Sequence, residues 1–274
     1  MEGVSVTSWS ALASRAGVSS AYATDGGFAS TERSCNGFSG RCVLHGTRLL
    51  AIYPPCMTES CWSLLDTHLF DIPSTKEAFN PYHDRHPELD QPGAPAVRRA
   101  NLRGYLDALQ DPRLFMMAEA PGPWGCRFTG IPITSEDQLL DDAFPLSGQR
   151  TSTADEPHTE YSGSIFWRVM TPAFPHFFIW NSMPLHPHDT DDPLTIRTPR
   201  RTEVRAWHDL TNGLLDIMQP ERIVAIGRKA ERAFNEIGVE SVYVRHPSHG
   251  GSKKFAAGME RILQDMKLPT AATA

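Results

Sequence analysis

No stretch of this 274-residue chain is long and apolar enough to cross a bilayer as a helix. Met1 to Arg15 lacks a basic start followed by an apolar run, so no signal peptide is read. A cytoplasmic protein without membrane contact is expected. Cysteine is scarce, five in all, and no two form a C-x2-C pair. Cys35, Cys42, Cys56 and Cys61 are too loosely spaced for a zinc site and read as reduced, unliganded thiols. An odd total argues against a disulfide framework. The nucleophile-elbow pattern G-x-S-x-G is absent. Reading His249-Gly250-Gly251 as a lipase-type oxyanion loop then fails, because no serine turn partners it. There is no internal repeat.

An excess of positive charge is also missing. Lys+Arg number 26 against 32 Asp+Glu, a net charge of −6. The distribution is uneven. From Thr195 onward there are 13 Lys+Arg and 9 Asp+Glu, and before it 13 and 23. A local basic face can therefore meet phosphates although the whole chain is acidic. Hydrophobic residues make up 40%, enough for a globular core.

Residues 1–56 are rich in Ser, Ala, Gly and Thr without a sustained period, and read as a flexible or weakly ordered extension. Patterned sequence begins at Met57, a candidate natural start, and a domain over 57–274 is expected. Deleting 1–56 should then leave activity intact. Thr58 can cap a helix carrying Trp62, Leu65 and Leu69. Asn80 to Pro95 reads as a connector, and a helix follows from about Ala96 to Leu109. Four apolar runs read as buried parallel strands: Leu114–Ala118, Phe177–Ser182, Arg222–Ile226 and Val242–Arg245. Thr198-Pro199 reads as the start of a helix carrying Val204, Trp207, Leu214 and Met218. Two more helices run from Arg228 to a cap at Gly238, and through Phe255, Met259, Ile262 and Met266. Alternating strands and helices imply an α/β fold with ligands beyond the strand ends.

Three unusual loops lie at those ends. The first is Ala118-Glu119-Ala120-Pro121-Gly122-Pro123-Trp124-Gly125, continuing to Thr134. The second runs from Trp180-Asn181-Ser182 to His186-Pro187-His188. The third is Val244-Arg245-His246-Pro247-Ser248-His249-Gly250-Gly251. A Pro/Gly loop brings backbone N–H groups close to a ligand. An Asn offers both a donor and an acceptor to a base edge. A His can steady a negative leaving group or move a proton. Each loop alone is ordinary; the signal is all three on strand ends of one sheet.

These loops, with Ala225-Ile226-Gly227-Arg228-Lys229-Ala230, resemble the uracil-DNA glycosylase superfamily over roughly Met57 to Lys267. The first motif looks closest to bacterial branches reading G-E-A-P-G, with Ala118 in place of the leading glycine. The resemblance implies a three-layer α/β/α sandwich around a four-stranded parallel sheet. It implies an enzyme that flips a nucleotide out of DNA and cuts its N-glycosidic bond. Glu119 and Ala120, with Pro121 and Gly122, would form the water- and base-side loop. Asn181 would hold the base edge, and His246 would steady charge on the departing base. Pro247 and Ser248 would grip the flanking phosphates.

The chain departs from the family pattern in places. Many members carry an aspartate where Ala120 stands. Glu119 is the nearest substitute, and Asp155 or Glu160 also come within range; the sequence leaves this choice open. Ile133 stands where an aromatic residue usually stacks on the base, so Trp124 or Phe128 would supply the flat face. The replacement opens room for a bulkier base or is a tolerated apolar change. His249-Gly250-Gly251 replaces the apolar wedge, and His249, Lys253 and Lys254 suit phosphate contacts. Strand separation would then be less forceful. Past the first motif only Cys126 remains, so no iron–sulfur cluster is expected. His186-x-His188 lacks a third ligand, so no metal and no cofactor are expected.

The leading expectation is a monomeric glycosylase acting on uracil or another altered pyrimidine in single- or double-stranded DNA. A defence enzyme against a bulky modified cytosine is one alternative. Another is a module that binds altered bases or abasic sites without hydrolysis, or captures them covalently. The capturing branch has a basic insert after the first motif, where Arg127 stands alone.

Overall fold

The structure is a computed structural model, and it describes residues 56–271. The expected extension over 1–56 therefore lies outside the described residues except for Cys56, as do Cys35 and Cys42. Cys56, Cys61 and Cys126 are free thiols.

The strands in chain order are β1 (Ala78–Phe79), β2 (Leu114–Ala118), β3 (Phe177–Asn181), β4 (His186–Pro187), β5 (Arg222–Ile226) and β6 (Val242–Val244). The helices are α1 (Met57–Leu65), α2 (Ala94–Ala108), α3 (Cys126–Thr129), α4 (Glu136–Leu139), α5 (Tyr161–Met170), α6 (Arg201–Arg205), α7 (His208–Met218), α8 (Arg228–Glu236) and α9 (Ser252–Asp265). Four strands form one parallel sheet in the order β3-β2-β5-β6. The strand expected over Phe177–Ser182 ends at Asn181, and the one expected over Val242–Arg245 ends at Val244.

Every residue of β2 and β3 is buried, as apolar runs covered on both faces must be. Side chains alternate along each strand and so meet different helices. Phe178 stacks on Tyr105 of α2 at 5.8 Å, and Phe115 meets Phe234 of α8 at 6.3 Å. Phe177 points the other way, to Phe166 of α5 at 5.8 Å, and Phe166 in turn touches Phe255 of α9. Helices thus cover both faces, giving the three-layer α/β/α sandwich. Each such buried ring contributes roughly 1.5–3 kcal/mol.

Several local expectations differ. Thr58 does not cap α1; its hydroxyl donates to Leu106 O on α2, and Cys56 holds the cap position. A π-helical turn, Asp66–Phe70, continues α1 and carries buried Leu69. The helix expected from Thr198-Pro199 starts at Arg201 and breaks at Trp207. There Glu203 accepts from Arg200 N at 2.7 Å, satisfying the first turn. The segment before β3, read only as a loop, contains α5. Among the described residues no helix is long and apolar enough to cross a membrane.

Candidate active site

Because the four strands run parallel, the loops after β2, β3 and β6 all emerge at the same end of the sheet. Asn181 is the register partner of Ala118. The first two loops are latched together. Ser182 N donates to Ala118 O (2.9 Å), Ser182 Oγ to Glu119 O (2.7 Å), and Met183 N to Glu119 O (3.1 Å). His186 Nδ1 lies 2.8 Å from Pro121 O and Nε2 lies 3.1 Å from Pro193 O. Both ring nitrogens thus face carbonyl oxygens, and the residue braces the Pro-Gly turn. Pairing of β1 with β4 fixes the backbone beneath it. Among the described residues no group of three His, Cys, Asp or Glu could hold a metal ion.

Asn181 ends β3 with 2% exposure. Its Nδ2 has only the Cys126 thiol as a partner, at 3.8 Å, and its Oδ1 has none. A buried amide oxygen without a donor is costly unless a ligand supplies one.

His246 follows β6 and is half-buried. Ser248 N donates to its Nδ1 at 3.2 Å, and Ser248 Oγ lies 2.8 Å from the same nitrogen. A nitrogen that accepts carries no proton, so the neutral ring keeps its proton on Nε2. Burial, and then the charges of Arg245 and His249, lower its pKa to about 4. Two glycines make the position possible. Gly227 adopts φ +91°, and a Cβ there would stand 3.4 Å from His246 Cβ. A Cβ on Gly251 would collide with the His246 carbonyl oxygen.

The carboxylates sort differently from expectation. Glu119 does not join Asn181. It lies past the end of β2 and turns toward α8, into a cleft lined by Ser182, Pro199, Lys229 and Arg232. Burial raises its pKa, opposed by Lys229, the Thr198 hydroxyl and Arg232. Asp155 is exposed. Glu160, at the N-terminal cap of α5, reaches the first loop instead. A Cβ on Gly122 would stand 2.9 Å from its Oε1, and one on Gly125 would overlap its Oε2. Its loop is pinned by Glu136, which accepts from Thr151 N (2.7 Å), Ser152 N (2.8 Å), Ser152 Oγ (2.6 Å) and His158 N (3.2 Å).

The aromatic expectation is corrected in part. Phe128 is fully buried, with the His158 ring 4.4 Å away and the Arg127 guanidinium 4.1 Å from its centroid. Both groups pack directly against its ring. Trp124 is 41% exposed and meets His158 edge-on at 5.1 Å. His158 was not singled out from the sequence; nothing in its local pattern marks it. Ile133 is buried with φ +50°, a strained conformation for a β-branched residue. Ala120 is partly buried against the core, and Pro121 is buried. Arg127 is buried in an ion pair with Asp90 at 2.5 Å, which Arg98 shares, so it is unavailable to DNA. Lys253 and Lys254 are exposed on the first turn of α9, and His249 is exposed with φ +50°.

A family model described as the uracil DNA glycosylase superfamily matches residues 104–267. The chain belongs to that superfamily. The match takes in β2 to α9 and all three loops, and it leaves α1 and most of α2 outside. Among solved structures, the chain is similar to wild-type SMUG2 of Pedobacter heparinus, with a TM-score of 0.53 and 13% identity. That likeness covers 77% of this chain and 97% of the other, and it shows the fold alone. No curated protein matches.

Proposed function

We propose that this superfamily member is a monofunctional DNA glycosylase that hydrolyses the N-glycosidic bond of a flipped-out uracil or modified pyrimidine, leaving an abasic site. Asn181 carries the reading. Its unpartnered, buried amide oxygen awaits a donor, and a pyrimidine edge supplies one beside an acceptor for Nδ2. His246 complements it: a neutral ring with Nε2–H faces the base oxygen on which charge builds. One such donor is worth roughly 3 kcal/mol in the transition state. Ser248, His249, Lys253 and Lys254 hold the phosphates, and Trp124 supplies the flat face at the rim. The protein works as a monomer in the cytoplasm and is related to the G-E-A-P-G branches.

The test is a cleavage screen. Oligonucleotides carrying uracil, hydroxymethylcytosine or glucosylated hydroxymethylcytosine are incubated with the protein, and abasic sites are cleaved with alkali. Uracil as the only substrate fits a repair enzyme. Preference for the bulky cytosines fits a defence enzyme. Cleavage of none removes the enzymatic reading. A complex that then survives denaturation identifies covalent capture.

A further inference from the structure

We infer that Glu160 is the catalytic carboxylate of this site, facing the positive charge that develops on the sugar and taking a proton from the attacking water. The inference rests on the glycosylase reading above.

Glu160 lacks an internal counter-charge among the described residues. Among those residues, Asp90, Glu136 and Glu119 are also withdrawn from water, and each finds its partner inside the protein. Asp90 is paired with Arg98 and Arg127. Glu136 accepts from backbone N–H groups and the Ser152 hydroxyl. Glu119 faces Lys229, Arg232 and the Thr198 hydroxyl. Glu160 has only the Ser162 hydroxyl, 2.7 Å from Oε1. Its Oε2 is closed off from solvent and unpartnered. An ionised carboxylate so placed is stabilised by whatever cationic group arrives with the substrate. Glycosidic cleavage supplies one transiently, as an oxocarbenium-like sugar.

The placement agrees. Cys126 neighbours both orphaned groups: Asn181 Nδ2 is 3.8 Å from its sulfur, and the Glu160 charge adds to burial in raising its thiol pKa. Gly122 and Gly125 leave the space that the carboxyl fills. In the step, the C1′–N bond breaks and its electron pair leaves on the base, where Asn181 and His246 meet it. The water oxygen bonds to C1′, and its proton passes to Glu160 and then to solvent. The base takes its proton from solvent. Burial raises the Glu160 pKa from its ordinary value, opposed by the Ser162 hydroxyl, a shift in the direction that makes the carboxylate a better proton acceptor.

The experiment measures single-turnover excision against pH, on every base that the screen shows to be cleaved, for wild type, Glu160→Gln, Glu160→Asp and Glu119→Gln. Glu160→Gln should lower the saturated single-turnover rate by about 100-fold or more, with the half-saturating enzyme concentration within about 3-fold, and should abolish the acid limb. Glu160→Asp should restore part of the rate and keep a limb. Glu119→Gln, which changes the competing carboxylate, should keep the acid limb that Glu160→Gln loses. Thermal melts confirm that the variants fold. A Glu160→Gln protein keeping rate and limb overturns the inference. So does a loss on one base of the panel but not another, which would make Glu160 a base reader. A wild type inert on every base fails earlier, at the glycosylase reading, and removes both.

Discussion

The Glu160 carboxyl occupies the space where a side chain on Gly125 would have to stand. A first-loop backbone and an acid 35 residues later are thus fitted to one another. Gly125→Ala should push Glu160 out of the cleft and cost activity by about 100-fold, measured as excision rate. The control is Gly104→Ala, on an exposed position of α2 where a Cβ meets nothing within 4 Å. That change should stabilise the fold by up to about 1 kcal/mol in urea titrations and leave excision unchanged.

The third loop offers a similar test without backbone strain. Gly251 has φ −81°, which any residue can adopt, yet a Cβ would strike the His246 carbonyl oxygen. Gly251→Ala should displace the imidazole and lower kcat by at least about 10-fold while DNA affinity holds. A wild-type rate would show that the loop gives way.

Stability against pH follows from the histidines. Burial lowers both His186 and His246 to about 4, so the fold binds fewer protons than the unfolded chain between that value and 6.5. Their contribution is full above about 6.5 and is lost as pH falls toward 4, on the order of 3 kcal/mol each. Urea midpoints should fall across that window, and less so in His186→Gln. The same variant loses a brace on Pro121 and should excise more slowly.

Glu136 acts in a lower window. Burial alone would raise its pKa, but the Ser152 hydroxyl and the N–H groups of Ser152, Thr151 and His158 hold it below the ordinary value. Its folded pKa is depressed, so its contribution is present above about 4.5 and vanishes as pH falls through the folded value. Glu136→Ala should cost about 2–4 kcal/mol at neutral pH and expose the 150–158 loop to protease.

The strands were legible because each is a short apolar run between turn signals, and β2 and β3 are apolar on both faces. The placement of Asn181 and His246 at one edge of the sheet was legible because strand ends in a parallel sheet share one edge. The direction of Glu119 was not, since it lies beyond the strand, where alternation no longer binds. Glu160 stood among the alternatives, but only the packing of α5 against the first loop separates it from Asp155. That packing depends on Trp167 donating to Thr134 Oγ at 2.9 Å, a contact between residues 33 apart. The burial of Phe128 was not legible, because a flat ring in a loop reads as exposed, whereas His158 and Arg127 pack against it.

On the proposed reading, charge on α9 would set affinity and leave chemistry alone. Reversing Lys253 and Lys254 to Glu should weaken DNA binding, flatten its salt dependence and leave single-turnover excision at saturation unchanged. A fall in the saturated rate would place these lysines nearer the reacting bond.

The most direct measurement is the rate of base release at saturating enzyme for wild type, Asn181→Ala and His246→Ala, with DNA affinity measured alongside. Slowing by about 100-fold or more in both variants, with affinity kept within about 3-fold, is the expected result. Release at the wild-type rate in both would contradict the assignment of the pocket.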